Sequence, residues 1–254
     1  MHIAGLDLSA ILPFIGVGFA AQLVDGAMGM AFGVITNTLL VGMMGVPPAL
    51  ASQRVHVVEC FTTAASGISH MLHGNIDKRL FLRLLIPGVA GGVLGTYVLT
   101  SIDAGVIKPF VLLYLAAIGI YLLVRGIMFP PKLREAKHIA PLGLFGGFMD
   151  AVGGGGWGPV VTSNLLIQNV DPRKVVGTVN AVEFFLTLSV SAAFIYQLGL
   201  ADLAGATLGL LLGGVAAAPF GAIAAKKLPL KWMLILVGIV LTLTSLYGVA
   251  KAWL

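Results

Sequence analysis

The sequence predicts an all-α polytopic membrane protein: two inverted repeats of about five hydrophobic segments each, with a glycine-broken or re-entrant helix pair opening each repeat. Three observations predict it. The 254 residues are 58% hydrophobic and only 10% charged, where a soluble domain carries roughly 25% charged residues. Uncharged runs at 84–102, 203–225 and 232–250 come near the roughly 20 residues a helix needs to cross the hydrocarbon core. Finally, the stretch Val24-Asp25-Gly26-Ala27-Met28-Gly29-Met30-Ala31-Phe32-Gly33 returns about 125 residues later as Met149-Asp150-Ala151-Val152-Gly153-Gly154-Gly155-Gly156-Trp157-Gly158.

In chain order the hydrophobic segments are 8–24, 29–45, 50–72, 82–102 and 108–125, then 139–149, 154–169, 175–198, 203–225 and 230–251. Proline turns at Pro47-Pro48 and Pro172 follow the second segment of each set. The polar stretch 129–138 is the expected linker between a first repeat, 1–128, and a second, 139–254. Paired positions support the repeat. Asp25 matches Asp150, Gly33 matches Gly158, and Thr36 matches Thr162. Val55-His56-Val57-Val58-Glu59 aligns without a gap on Val179-Asn180-Ala181-Val182-Glu183, and Gly88 and Gly95 match Gly214 and Gly221.

An odd number of segments per repeat inverts the second repeat relative to the first. With the N-terminus outside, twelve of the fifteen Lys and Arg residues fall on the cytoplasmic side, leaving Arg54, Lys108 and Lys251. That is a positive-inside bias. It places a multi-pass protein in a bacterial cytoplasmic membrane with both termini outside. The net charge of +5 is spread over short loops rather than gathered on a face, so nucleic acid is excluded as a partner. A single cysteine, Cys60, excludes an intramolecular disulfide. The N-terminus lacks the basic n-region of a cleavable signal peptide. No nucleotide-binding loop of the Gly-x-x-x-x-Gly-Lys type occurs, and His70, His73 and His138 form no metal set with a cysteine pair. No enzyme activity, metal or cofactor is expected.

The glycine breaks carry the functional signal. The uncharged parts of the first and sixth segments, about 17 and 11 residues, are short for a span. Paired short or glycine-interrupted segments mark the binding site of inverted-repeat transporters, because unwound backbone at membrane depth survives only against protein or a watery cavity. The half-helix after a break presents free amides and a positive dipole end, which favours an anion. The competing reading is that these glycines only let helices pack closely.

Asp25, Glu59, Asp150 and Glu183 lie in apolar surroundings, where a charge costs at least about 2.5–3.5 kcal/mol. They are candidates to carry protons, with His56 one helical turn before Glu59. Alternatively they lock helices together, and the two aspartates cap the half-helices that follow. Arg54 is either an anion contact or a snorkelling cation. Thr36, Asn37, Thr38, Thr162, Ser163 and Asn164 either bind substrate or bond between helices, and Trp157 fits packing or gating. Gly205, Gly209, Gly213, Ala217 and Gly221, echoed by Gly88/Gly92 and Gly91/Gly95, read as close-packing seams.

With these motifs in hand, the chain resembles the TauE/SafE family of membrane permeases over essentially its whole length. The doubled break, the proline turns and the third-segment stretches ending in Glu59 and Glu183 carry the resemblance. The run Gly153-Gly154-Gly155-Gly156-Trp157-Gly158-Pro159 is the closest match. The first repeat departs from the pattern, with Met28, Met30 and Ala31 in place of glycines. The resemblance implies export of sulfite or an organosulfonate such as sulfoacetate.

The resulting expectation is a secondary transporter exporting a small oxyanion, coupled to protons or to the membrane potential. Gly29, Gly33, Thr36, Arg54, Gly154, Gly155, Gly156, Trp157, Thr162, Ser163 and Asn180 are its expected substrate contacts. Asp25, His56, Glu59, Asp150 and Glu183 are its expected proton-coupling groups. A passive anion channel, or a cation or metal transporter using the buried acids, are the alternatives. The expected partners are the small anion, membrane lipid and a possible second copy in a homodimer.

Overall fold

The computed structural model describes residues 2–3, 6–128, 138–162, 164–165, 168, 172–200, 205–227 and 230–253; the linker 129–137 and Ser163 lie outside them. A two-residue antiparallel pair, β1 (His2–Ile3) with β2 (Leu6–Asp7), precedes the helices and is the one departure from the all-α expectation among the described residues.

The first hydrophobic segment is the helix α1 (Leu8–Met28). At 21 residues it rises about 31 Å, while its apolar part, Ile11–Gly26, is among the shorter apolar helices, and Asp25 sits in its last turn rather than beyond its end. A break at 29–31 leads to α2 (Phe32–Thr38), which continues as a π-helical turn, Leu39–Met43. Pro47-Pro48 then starts α3 (Pro48–Leu72), since a proline at the first helical position gives up an amide that has no partner anyway.

Asp77 caps α4 (Lys78–Ser101) by accepting from the amides of Arg79 at 2.9 Å and Leu80 at 3.0 Å. Asp103 caps α5 (Ala104–Ile127) by accepting from the Gly105 amide at 2.8 Å. In the second half, α6 (Ile139–Gly153) has only 15 residues, about 22 Å, short of the roughly 30 Å hydrocarbon core. Of the expected seventh segment, residues 154–156 are not helical. After the break it holds a π-helical turn, Gly158–Thr162, with further described residues only at 164–165 and 168. Then follow α7 (Pro172–Leu198), α8 (Ala206–Lys227) and α9 (Leu230–Trp253). By length and composition α4, α5 and the 174–198 part of α7 can each cross a membrane, and shorter apolar helices accompany them.

The helices pack by exchange between the two halves of the chain. α1 packs on α8 and α6 on α4; α3 packs on α7 and α5 on α9. Glycines set these approaches. A Cβ on Gly213 would overlap the Ile15 carbonyl of α1, one on Gly147 the Gly88 carbonyl, and one on Gly91 the Leu144 carbonyl. The seam reading therefore holds at Gly209 and Gly213. Gly205 does not belong to it: its φ of +68° and open surroundings make it the turn residue that starts α8. The packing around Gly221 lies outside what is described. Leu84, Leu115, Trp157, Val179, Val182 and Leu186 form the centre of the apolar core. Large apolar side chains such as Ile86, Phe110 and Leu243 face outward, as lipid requires and water does not.

Candidate functional site

The two glycine breaks meet. Gly29 at φ +66° and Ala31 at φ +113° turn the chain out of α1; Gly154 at φ +63° and Gly155 at φ +144° turn it out of α6. A Cβ on Gly33 would lie 2.6 Å from Gly155 Cα and 2.8 Å from both the Gly154 carbonyl oxygen and Glu59 Oε1. Only bare backbone fits at this crossing. Thr162 Oγ1 donates to the Gly29 carbonyl at 3.0 Å, Asn37 Nδ2 donates to the Gly153 carbonyl, and Gly158 presses on Met30. Each break is thus held by residues of the other half.

Asp25, Glu59, Asp150 and Glu183 all border this crossing and none is more than 6% exposed. Glu59 is within electrostatic reach of the other three, and Glu183 of both aspartates. The aspartates cap the segments beyond the breaks. Asp150 Oδ1 accepts from the amides of Gly156 at 2.7 Å and Trp157 at 2.9 Å. Asp25 Oδ1 accepts from Phe32 at a long 3.4 Å. The amides expected to hold a substrate anion hold carboxylates here, tightly in the second break and loosely in the first.

His56 and Asn180, matched in sequence, each face the break of the opposite half. His56 Nε2 lies 3.1 Å from Asp150 Oδ2, with both side chains buried. Asn180 Nδ2 lies 3.3 Å from where a Gly29 Cβ would be and donates to the Val176 carbonyl at 2.9 Å. Buried acceptors without a hydrogen-bond partner among the described residues lie nearby: Glu59 Oε2, Asn37 Oδ1 and Asn180 Oδ1. Buried polar atoms normally find partners, so this group is the polar, under-satisfied centre of an apolar molecule.

Other expected contacts fall elsewhere. Thr36 Oγ1 donates within its own helix, to the Phe32 carbonyl at 2.7 Å. Trp157 is fully buried, its ring against Gly88 and Gly146 and its Nε1 donating to the Val179 carbonyl at 3.2 Å. That is packing. Arg54 is half-buried on α3, and among the described residues its Nε is buried without a partner and it joins neither break. Ser163 lies outside the described residues. Among those residues, no three His, Cys, Asp or Glu side chains group at metal-ligating spacing.

Two contributors escape a reading by sequence. Ser52 Oγ donates to the Ala151 carbonyl at 2.6 Å, while its own carbonyl meets His56 Nδ1 at 2.7 Å. Tyr114 of α5 brings its hydroxyl against Gly156, where a Cβ would lie 2.5 Å away. The one available signal was spacing: Ser52 precedes His56 by one helical turn and shares its face.

A family model described as sulfite exporter TauE/SafE matches residues 14–248. The probable membrane transporter protein YtnM of Bacillus subtilis (strain 168) is 40% identical over 256 residues, covering 97% of this chain and 85% of that protein. A probable membrane transporter protein of Haemophilus influenzae is 29% identical over 225 residues, covering 82% of this chain and 85% of that protein. No solved structure matches. With the match running through both breaks and all the helices between them, the chain belongs to the sulfite exporter TauE/SafE family.

Proposed function

We propose that this membrane transporter moves a small oxyanion, sulfite or an organosulfonate, outward across a bacterial cytoplasmic membrane, with protons accompanying the anion. The observation that carries the proposal is the crossing of the two breaks, where backbone alone meets backbone amid four buried carboxyl groups. The repeats are inverted in this reading, and the exchange of packing partners between halves supports it. α1 on α8 has its mirror in α6 on α4, while the pairs α3–α7 and α5–α9 each join a helix to its own counterpart in the other half.

Charge decides the coupling. Four carboxyls face one imidazole in this centre. An added anion is repelled there unless protons neutralise part of that charge, because ions in a low-dielectric interior are poorly screened. Glu59 and Glu183 take up the protons in this scheme, and the anion reaches the amides of the breaks as Asp25 or Asp150 gives them up. Thr162 and Asn180 are the side chains nearest its path. Rocking of one half against the other then exposes the crossing to each side in turn.

Purified protein in proteoliposomes tests this directly. Sulfite, sulfate, thiosulfate and sulfoacetate are offered with and without a pH gradient. The expected outcome is flux of sulfite or sulfoacetate that responds to the gradient. Glu59→Gln and Glu183→Gln should abolish or uncouple it while leaving a folded protein. Wild-type flux from both variants would remove the proton role, and flux indifferent to the gradient would make the protein a passive channel.

A further inference from the structure

We infer that the structure assigns one specific proton to the contact between His56 of α3 and Asp150 at the second break, where it works as a latch. The inference rests on the proton-coupled reading above but locates the proton at an asymmetric place. Hydrogen-bond logic fixes it. The Ser52 hydroxyl hydrogen goes to the Ala151 carbonyl at 2.6 Å, the shorter of its two contacts, so that at the 3.3 Å contact with His56 Nδ1 the hydroxyl oxygen accepts. The Ser52 carbonyl, 2.7 Å from His56 Nδ1, can only accept. Nδ1 therefore carries a hydrogen. Asp150 Oδ1 is occupied by the Gly156 and Trp157 amides, so only Oδ2 is left for the imidazole.

Across the 3.1 Å between Nε2 and Oδ2 one more proton is needed, since a bare ring nitrogen and a bare carboxylate oxygen would present lone pairs to each other. The proton sits on the imidazole beside a carboxylate, or on the carboxyl beside a neutral imidazole. Either way the buried pair carries no net charge. Without the proton its net charge is −1 and the contact turns repulsive. His56 and Ser52 together hold α3 to the end of α6, through Asp150 and Ala151. Loss of the proton thus breaks one of the two side-chain ties that hold α3 to the second break and leaves the Ser52 bond as the other.

The surroundings point the same way. Glu59 on α3, Asp25 on α1 and Glu183 on α7 all lie in electrostatic reach of Asp150 or of one another. Tyr114 of α5 also reaches Asp150 electrostatically, and Phe194 of α7 packs on the imidazole at a 6.0 Å ring distance. The groups facing the pair are thus acids, a phenol and a phenyl ring, with no cation to replace the proton among the described residues that face it. Among the described residues the first break has no such latch: its matching residue is Asn180, which does not titrate, and Asp25 there accepts the long Phe32 contact. The histidine latch thus belongs to the second break alone among the described residues.

Asp150→Asn is the discriminating variant. Its amide donates to Nε2 and its carbonyl still accepts from Gly156 and Trp157, so it imitates the protonated latch permanently. ¹⁵N-histidine NMR of the purified full chain reads the imidazole without any substrate, with the His56 signal identified by its loss in His56→Asn. The expected result is Nδ1 protonated throughout and a pH-dependent Nε2 signal, the pH dependence vanishing in Asp150→Asn. An Nε2–H, Nδ1-bare ring in the wild type, or the same titration in Asp150→Asn, would overturn the proposal. In proteoliposomes loaded with sulfite, Asp150→Asn should lose at least tenfold of the flux stimulated by a pH gradient, and undiminished stimulation would equally overturn it. If the wild type moves no sulfite while the NMR result stands, the substrate reading fails and the proton assignment survives.

Discussion

Ala31 is the most informative single residue of the first break. Its φ of +113° lies where a side chain is strained and where the second break uses glycine. Such a conformation costs on the order of 1–3 kcal/mol. Ala31→Gly should therefore stabilise the protein by about 1 kcal/mol, after allowing for the greater freedom of glycine in the unfolded chain. Thermal unfolding in detergent measures it, and a lowered midpoint would show that the strain is absent. Substitution of glycines by Met28, Met30 and Ala31 was visible in the sequence; its consequence, an alanine held in a glycine conformation, was not. Likewise the aspartates announced themselves by their apolar neighbours. That they cap the segments beyond the breaks depended on amides six and seven residues away.

Among the elements, helix seams separate glycines that matter from glycines that do not. Gly213 has no room for a side chain against the Ile15 carbonyl, whereas Gly16, on the partner helix α1, has nothing near its would-be Cβ. Gly213→Leu should destabilise by at least the roughly 1–3 kcal/mol of an overpacked core and reduce folded protein in membranes. Gly16→Leu should stay within about 0.5 kcal/mol of wild type. Fluorescence-detected size exclusion with a temperature ramp separates the two, and equal loss from both would refute the seam. The four-residue spacing predicted this seam but also swept in Gly205, a turn residue. Spacing records which positions share a helical face; it does not record where the helix begins.

For the molecule as a whole, the open question is orientation. Arg79 stands just inside α4 and Leu200 just beyond α7, at equivalent places in the two halves, and both are exposed. In a Cys60→Ala background, Arg79→Cys should react with a membrane-impermeant maleimide only after the cytoplasmic side is opened. Leu200→Cys should react in intact cells. Labelling of both from one side would contradict inverted repeats.

By itself the sequence determined the membrane setting, the helix order and the family, because each is written in composition, hydrophobic run length or motif. It also marked Asp25, His56, Glu59, Asp150 and Glu183 as residues out of place. Only the tertiary structure decided that α1 and α6 pack on helices of the opposite half, that the breaks touch at Gly33 and Gly155, and that His56 reaches across to Asp150. Those contacts join residues about a hundred positions apart. Local periodicity carries no record of them, since they form only when the two halves close on each other and exclude lipid and water from the acids between them.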